Sequence, residues 1–172
     1  MYFRIVVFLL TLSSISCVAV SHRVLTSDRG SSLFKKESVH FIFTGFYRYE
    51  KEKQSIQQKL IEQGFTELND SDKVVEIILQ KKETEYPSDI LHSVNWFLTF
   101  FSAGMFPYQI QSENTLTFRY VEKGQLLREI TYNLRMDQYR GILIAPFTPF
   151  YWPNDVFRKQ IHETINLETN SL

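Results

Sequence analysis

Few side chains in this sequence stand at spacings that support chemistry. Cys17 is the single cysteine of the 172-residue chain, so it has no disulfide partner within the protein, and its thiol is available to be alkylated or acylated. The four histidines, His22, His40, His92 and His162, form no i, i+4 pair and have no Cys partner, which leaves zinc and other metal chemistry unsupported. Asp70 and Asp72 in "NDSDK" start like a calcium loop, but Val75 and Lys81 occupy the positions where that loop needs Gly and Glu, and a turn is the expectation. "FTGFY", Phe43 to Tyr47, holds one glycine and no phosphate-cradling repeat. No serine lies in a Gly-x-Ser-x-Gly elbow. Arg119, Arg128, Arg135 and Arg140 could form a basic stripe, with Tyr120 and Tyr132 to stack bases. Glu122, Glu129 and Asp137 interleave with them, and a salt-bridged face is the better reading. The expectation is a protein without catalytic residues, cofactor or metal.

Cys17 acquires meaning from what precedes it. Arg4 supplies a positive charge, Ile5 to Leu12 an apolar run of eight, and Ser13 to Ser16 a small polar run. Eight apolar residues cannot span a bilayer, and this order of charge, apolar run and small residues is that of a signal peptide over residues 1–16. The segment resembles a bacterial lipoprotein signal, in which the thiol after the cleavage point receives diacylglycerol. Ile15 and Ser16 suit that pattern, whereas Ser14 replaces the usual Leu. Ordinary cleavage, with Ser14 and Ser16 or Cys17 and Ala19 meeting a small-x-small rule, would give a secreted protein instead; retention would give an amino-terminal anchor. With lipidation at Cys17, residues 17–37, rich in Ser and charge, are expected as a tether.

Charge is balanced, 19 basic against 19 acidic residues, and loss of Arg4 with the signal leaves −1. There is no general electrostatic case for nucleic acid. The length suits one compact domain, expected over residues 38–168. Val39 to Phe46 alternates as a strand, with Val39, Phe41 and Phe43 on one face, and is expected to be central. Tyr49, Lys53, Ile56 and Leu60 recur at helical spacing, with Gly64 as the stop. Val74 to Lys82 is a second strand, and Ser88 or Asp89 could cap a following helix. Thr115 to Glu122 and Leu126 to Asp137 alternate around Lys123 and Gly124 as a long antiparallel hairpin, with Leu116, Phe118, Tyr120, Ile130, Tyr132, Leu134 and Met136 on the inward side. Pro153 opens a last helix with Phe157, Ile161 and Ile165 inward and a tail, "NLETNSL", expected to fray. The fold class is therefore α+β: β-α-β, an apolar segment, a β-hairpin and a C-terminal helix, with helices packed on one face of a mixed or antiparallel sheet.

Two uncharged segments flank the hairpin. Ile90 to Ser112 includes "WFLTFFSAGMFPY", and Gly141 to Asn154 includes "APFTPFYWP", where the prolines exclude a regular helix or central strand. Together Trp96 to Tyr108 and Tyr139 to Trp152 hold eleven of the 26 aromatic residues, both tryptophans among them. Because one segment enters the hairpin and the other leaves it, the two should meet at the end opposite the Lys123 turn. Trp96, Phe97, Phe100, Phe101, Phe106, Tyr108, Phe147, Phe150, Tyr151 and Trp152 are the candidate contact residues. They could close on each other as a second core, dip into a membrane interface, or dock on another envelope protein. A transmembrane span near residues 90–107 is a further alternative, diluted by His92, Ser93, Asn95 and Thr99 and ended by Gly104 and Pro107.

At "LTFFSAGMFPY", the alternating hairpin and "APFTPFYWP", the chain resembles a loose group of small bacterial envelope lipoproteins of unknown function over roughly residues 38–165 and the signal. The resemblance implies a cell-envelope location, membrane-anchored on the periplasmic or outer-membrane side, and no catalytic residues. A secreted hydrolase would instead need a pocket in which a histidine meets a carboxylate.

Overall fold

A computed structural model describes residues 17–29, 37–82, 88–102 and 104–171. The signal expected over residues 1–16 lies outside the described residues. In chain order the elements are β1 (Cys17–Ser21), β2 (Leu25–Arg29), β3 (Ser38–Thr44), α1 (Glu50–Glu62), β4 (Thr66–Glu67), β5 (Lys73–Lys82), α2 (Asp89–Phe101), β6 (Tyr108–Glu122), β7 (Gln125–Arg140), a 3-10 segment (Ile142–Phe147) and α3 (Pro153–Ser171). Strand order is β1-β7-β6-β5-β3-β4, with β2 also on β7. Parallel pairing of β3 with β4 and β5, and antiparallel pairing of β1 and β2 with β7, make the sheet mixed, within an α+β fold closed by a C-terminal helix.

The described residues fall into two compact units. One comprises the described residues of 17–22, 88–113 and 135–157; the other comprises those of 23–82, 114–134 and 158–171. β6 and β7 run through both.

The second unit holds most of the core. β3 and β5 pair in parallel around the α1 crossover, as the β-α-β reading expects, and α1 turns Ile56 and Leu60 inward. Gly64 takes a left-handed φ of 102° just past the helix, a conformation that costs glycine no Cβ clash. β3 is not central: only the two-residue β4 lies outside it, because the chain after α1 returns first to its far edge. The glycine of "FTGFY" has a packing reason, since a Cβ at Gly45 would sit 1.9 Å from the Leu79 carbonyl oxygen. The β6–β7 turn has positive φ at both Lys123 and Gly124, the two-residue geometry that matches strand twist. Leu116, Phe118 and Tyr120 on β6, and Ile130, Tyr132 and Leu134 on β7, are buried as their alternation requires. On the outward side Arg119 reaches Glu129 at 2.6 Å and Glu76 at 3.5 Å, whereas Arg128 falls on the inward side with Ile130 and Tyr132 and reaches Asp28 at 3.1 Å. Both arginines are salt-bridged, and the two buried tyrosines cannot stack on bases.

Two expectations are corrected. The segment 17–37 is not all tether: residues 17–21 and 25–29 are strands laid along β7, with Cys17 opposite Arg140 and Leu25 opposite Asn133. Backbone pairing with an otherwise open edge outweighs the low β-propensity of their Ser and Asp residues. Nor does the tail fray. α3 continues to Ser171, and Glu168, fully buried, accepts hydrogen bonds from the Tyr120 hydroxyl at 2.6 Å and the Tyr132 hydroxyl at 2.5 Å. The Arg128 guanidinium stands 3.9 Å from the same carboxylate. Glu168 continues the Phe157, Ile161, Ile165 stripe, so the last turns are fixed by a buried polar cluster rather than by apolar packing.

Removing that carboxylate should leave two buried hydroxyls unpaired, and Glu168→Ala is expected to cost about 2–4 kcal/mol in urea unfolding. Burial, reinforced by the Glu168 charge, pushes the Tyr120 and Tyr132 phenols above the ordinary tyrosine range. The unfolded chain therefore sheds these protons first. Stability is expected to be independent of these groups below about pH 10 and to fall as pH rises above it, read by urea midpoints across the alkaline range.

Candidate functional site

In the first unit, α2 is built the wrong way round for a helix in water. Ser88 caps it, its hydroxyl accepting from the Leu91 N–H, and Gly104, with φ 81°, closes the turn beyond its end. None of its thirteen residues is buried. The less exposed stripe is His92, Asn95 and Thr99, followed by Ser102, at helical spacing of three, four and three. These polar groups are turned toward the chain that follows. The Asn95 amide donates to the Pro107 carbonyl at 3.1 Å and its oxygen accepts from the Gln109 N–H at 3.1 Å. The Tyr108 hydroxyl lies 3.3 Å from His92 Nε2, and Ser102 Oγ accepts from the Phe106 N–H at 3.0 Å. The apolar residues point outward: Ile90, Leu91, Val94, Phe97, Leu98 and Phe101 are all exposed.

The segments on either side of the hairpin do meet. The Ile142 N–H donates to the Gly104 carbonyl at 3.0 Å. Gly141 fits so closely that a Cβ there would lie 3.1 Å from Pro107 Cα and 3.2 Å from the Gly104 oxygen. β1 joins them, with the Ala19 N–H donating to the Tyr151 carbonyl at 2.9 Å. Cys17 is half-buried and pairs with Arg140, the residue before Gly141, so the thiol and the aromatic segments belong to one unit.

The aromatic residues do not close into a second core. Trp96 is 53% and Trp152 39% exposed, and Phe97, Phe100, Phe101, Phe106, Phe147, Phe150 and Tyr151 are exposed as well. Only Tyr108, held at His92, is half-buried. The rings pair among themselves without being covered: Trp96 stacks on Phe100 at 5.5 Å and Phe97 lies 4.3 Å from Phe101. Leu143 and Met105, in the same two segments, are exposed as well, although they are not aromatic.

A span over residues 90–107 is overturned. The helix there ends at Phe101, about 20 Å long against a hydrocarbon core of about 30 Å. Among the described residues no helix is long and apolar enough to cross a membrane.

The histidines are separated. His22 meets Asp137 at 2.9 Å, and its backbone N–H donates to the Arg135 carbonyl, so this pair fastens the chain leaving β1 to β7. His92 serves the α2 latch. Among the described residues no group of three His, Cys, Asp or Glu is arranged to hold a metal.

No protein-family model matches the sequence, and no curated protein matches it. Solved structures do. The fold is similar to that of a minor lipoprotein from Acinetobacter baumannii, with a TM-score of 0.50 at 13% identity, covering 81% of this chain and 91% of that one. A PelC dodecamer from Paraburkholderia phytofirmans matches more weakly, with a TM-score of 0.38 at 10% identity over 66% of this chain and 81% of that one. At such identities the first likeness establishes a shared fold.

Because the outward rings add nothing to the core, Phe97→Ser and Phe100→Ser should each change folding stability by less than about 1 kcal/mol. Asn95→Ala, which removes both ends of the latch, should cost about 1–2 kcal/mol and raise amide exchange across residues 89–101.

Proposed function

We propose that the protein is a lipid-anchored component of the bacterial cell envelope, attached through acylated Cys17, which seats the apolar surface of α2 and the 3-10 segment in a membrane interface. The observation that carries this reading is the inverted helix: α2 spends its polar stripe on the protein and offers its apolar residues to the outside. Large apolar side chains exposed together along one helix mark an interaction site, and Trp and Phe with neighbouring backbone carbonyls suit the boundary between lipid and water.

The strand position of Cys17 supports the same reading. With β1 starting at the acylated residue, little slack separates the anchor from the unit bearing the apolar surface. Diacylglycerol on Cys17 brings two acyl chains, enough for stable attachment. The exposed rings add to it, each worth on the order of 1 kcal/mol for partial burial, and hold the unit against the surface. The shared fold with a minor lipoprotein supports the lipoprotein part of the proposal. The protein works in this account by attachment rather than catalysis, and docking to another envelope protein is the competing use of the same surface.

Intact-mass measurement of the membrane fraction, together with flotation of variants, tests the proposal. The wild type should carry a mass consistent with cleavage before Cys17 and acylation. Cys17→Ser should lose the acyl mass and bind lipid vesicles more weakly, and adding Phe97→Ser and Phe100→Ser should abolish the remaining binding. An unmodified Cys17, or Cys17→Ser protein that binds membranes only when other envelope proteins are present, would contradict it.

A further inference from the structure

β1 joins two points of the chain that nothing else brings together. Cys17 stands opposite Arg140, where β7 ends and the chain turns into the 3-10 segment. Two residues along, the Ala19 N–H leaves the β7 ladder and donates to the Tyr151 carbonyl at 2.9 Å. Along an antiparallel strand the N–H groups alternate between its two edges, so Val18 and Val20 face β7 while Ala19 faces the other way. The strand therefore holds both ends of the loop that carries Phe147 and Phe150: Arg140 at its start and Tyr151 at its finish.

The loop has little else to fix its path. Its remaining backbone bonds are mostly local, Ile144 to Gly141, Thr148 to Ala145, and Phe150 and Tyr151 to Phe147, with the Ile142 N–H on the Gly104 carbonyl as a further tie near its start. Local turns set curvature without fixing where the far end lies, and closing a loop costs chain entropy. Its rings are exposed and contribute no packing. β1, by contrast, is built into the interior. Among the described residues of this unit five apolar side chains are buried, Val18, Ala19, Met136, Val156 and Phe157, and β1 supplies two of them.

Resting on the membrane reading above for what the loop faces, we propose that β1 is a staple across the aromatic loop, a positioning element that holds residues 141–152 through the Ala19 N–H and so keeps Phe147, Phe150, Tyr151 and Trp152 presented to the outside. The residues that follow the anchor cysteine then set the membrane contact instead of forming a flexible leash. Anchor and loop move as one piece.

Amide exchange and fluorescence test it. In the wild type the Ala19 amide, which the β7 ladder does not hold, should exchange as slowly as those of Val18 and Val20. Ala19→Pro removes this one donor and leaves the ladder its own N–H groups, so exchange across residues 142–152 should rise at least about fivefold while residues 89–101 keep their wild-type rates. Ala19→Gly keeps the N–H, loosens the strand and should raise exchange less. With the acylated protein in vesicles of lipid brominated near the headgroup, Ala19→Pro should weaken quenching of Trp152 in a Trp96→Phe background and leave that of Trp96 unchanged in a Trp152→Phe background. A freely exchanging Ala19 amide in the wild type, or exchange across 142–152 that neither substitution alters, would overturn the staple. The wild-type amide and Ala19→Gly decide the matter even if Ala19→Pro does not fold. A protected Ala19 amide in a protein whose Trp152 no brominated lipid quenches would support the staple and overturn the membrane reading, so the two fail separately.

Discussion

The first unit depends on one side-chain latch, the Asn95 amide bridging α2 to the Pro107 carbonyl and the Gln109 N–H at the start of β6. Buried or half-buried backbone groups must be paired, and here the pairing is done by the helix's own polar residues. Once those residues are committed inward, the rest of the helix circumference has nowhere to go but outward. The exposure of Trp96, Phe97, Phe100 and Phe101 is therefore a consequence of how the segment is fastened, and not of a loosely packed core. Gly141 lets the two segments approach closely enough for the Ile142 N–H to find the Gly104 carbonyl.

The second unit solves the opposite problem with the same chemistry. Tyr120 and Tyr132 face each other's strands in the interior, where their hydroxyls need partners, and Glu168 supplies both from α3. A buried carboxylate is costly unless its oxygens are bonded, and its two phenol donors with Arg128 close by meet that condition. The helix that encloses the core in this way keeps the hairpin's long strands fixed, and the same strands continue into the unit that bears Cys17 and α2. The rings proposed to meet the membrane lie outside the core, so that substitutions on the apolar surface can alter attachment and leave folding intact.

Much of this was legible in the residues. Strict alternation in β6 and β7 gave the inward set from Leu116 to Met136, and the 49, 53, 56, 60 spacing gave α1, because period alone assigns those faces when one side meets a core. The meeting of the two aromatic segments followed from hairpin geometry. What period could not decide is which face of α2 turns inward. His92, Asn95 and Thr99 read as dilution of an apolar run, although their own helical spacing was the signal of an inner stripe. β1 and β2 were hidden by short length and by Ser, Asp and Arg, though "VAV" after Cys17 already has the apolar character of a strand. Glu168 was overlooked because a charged residue near the end of a chain suggests solvent, even while it extends the spacing of Phe157, Ile161 and Ile165.

The outward face of α2 is proposed to meet lipid, and the protein's only two tryptophans, Trp96 and Trp152, both lie in the unit concerned. Their fluorescence, recorded with the acylated protein in vesicles of lipids brominated along the acyl chain, tests it most directly. Strong quenching by bromine placed near the headgroup end of the chain is expected, with a blue shift relative to protein released by detergent-free cleavage of the anchor. Emission unchanged by brominated lipid at any depth, with both tryptophans still open to an aqueous quencher, would contradict it.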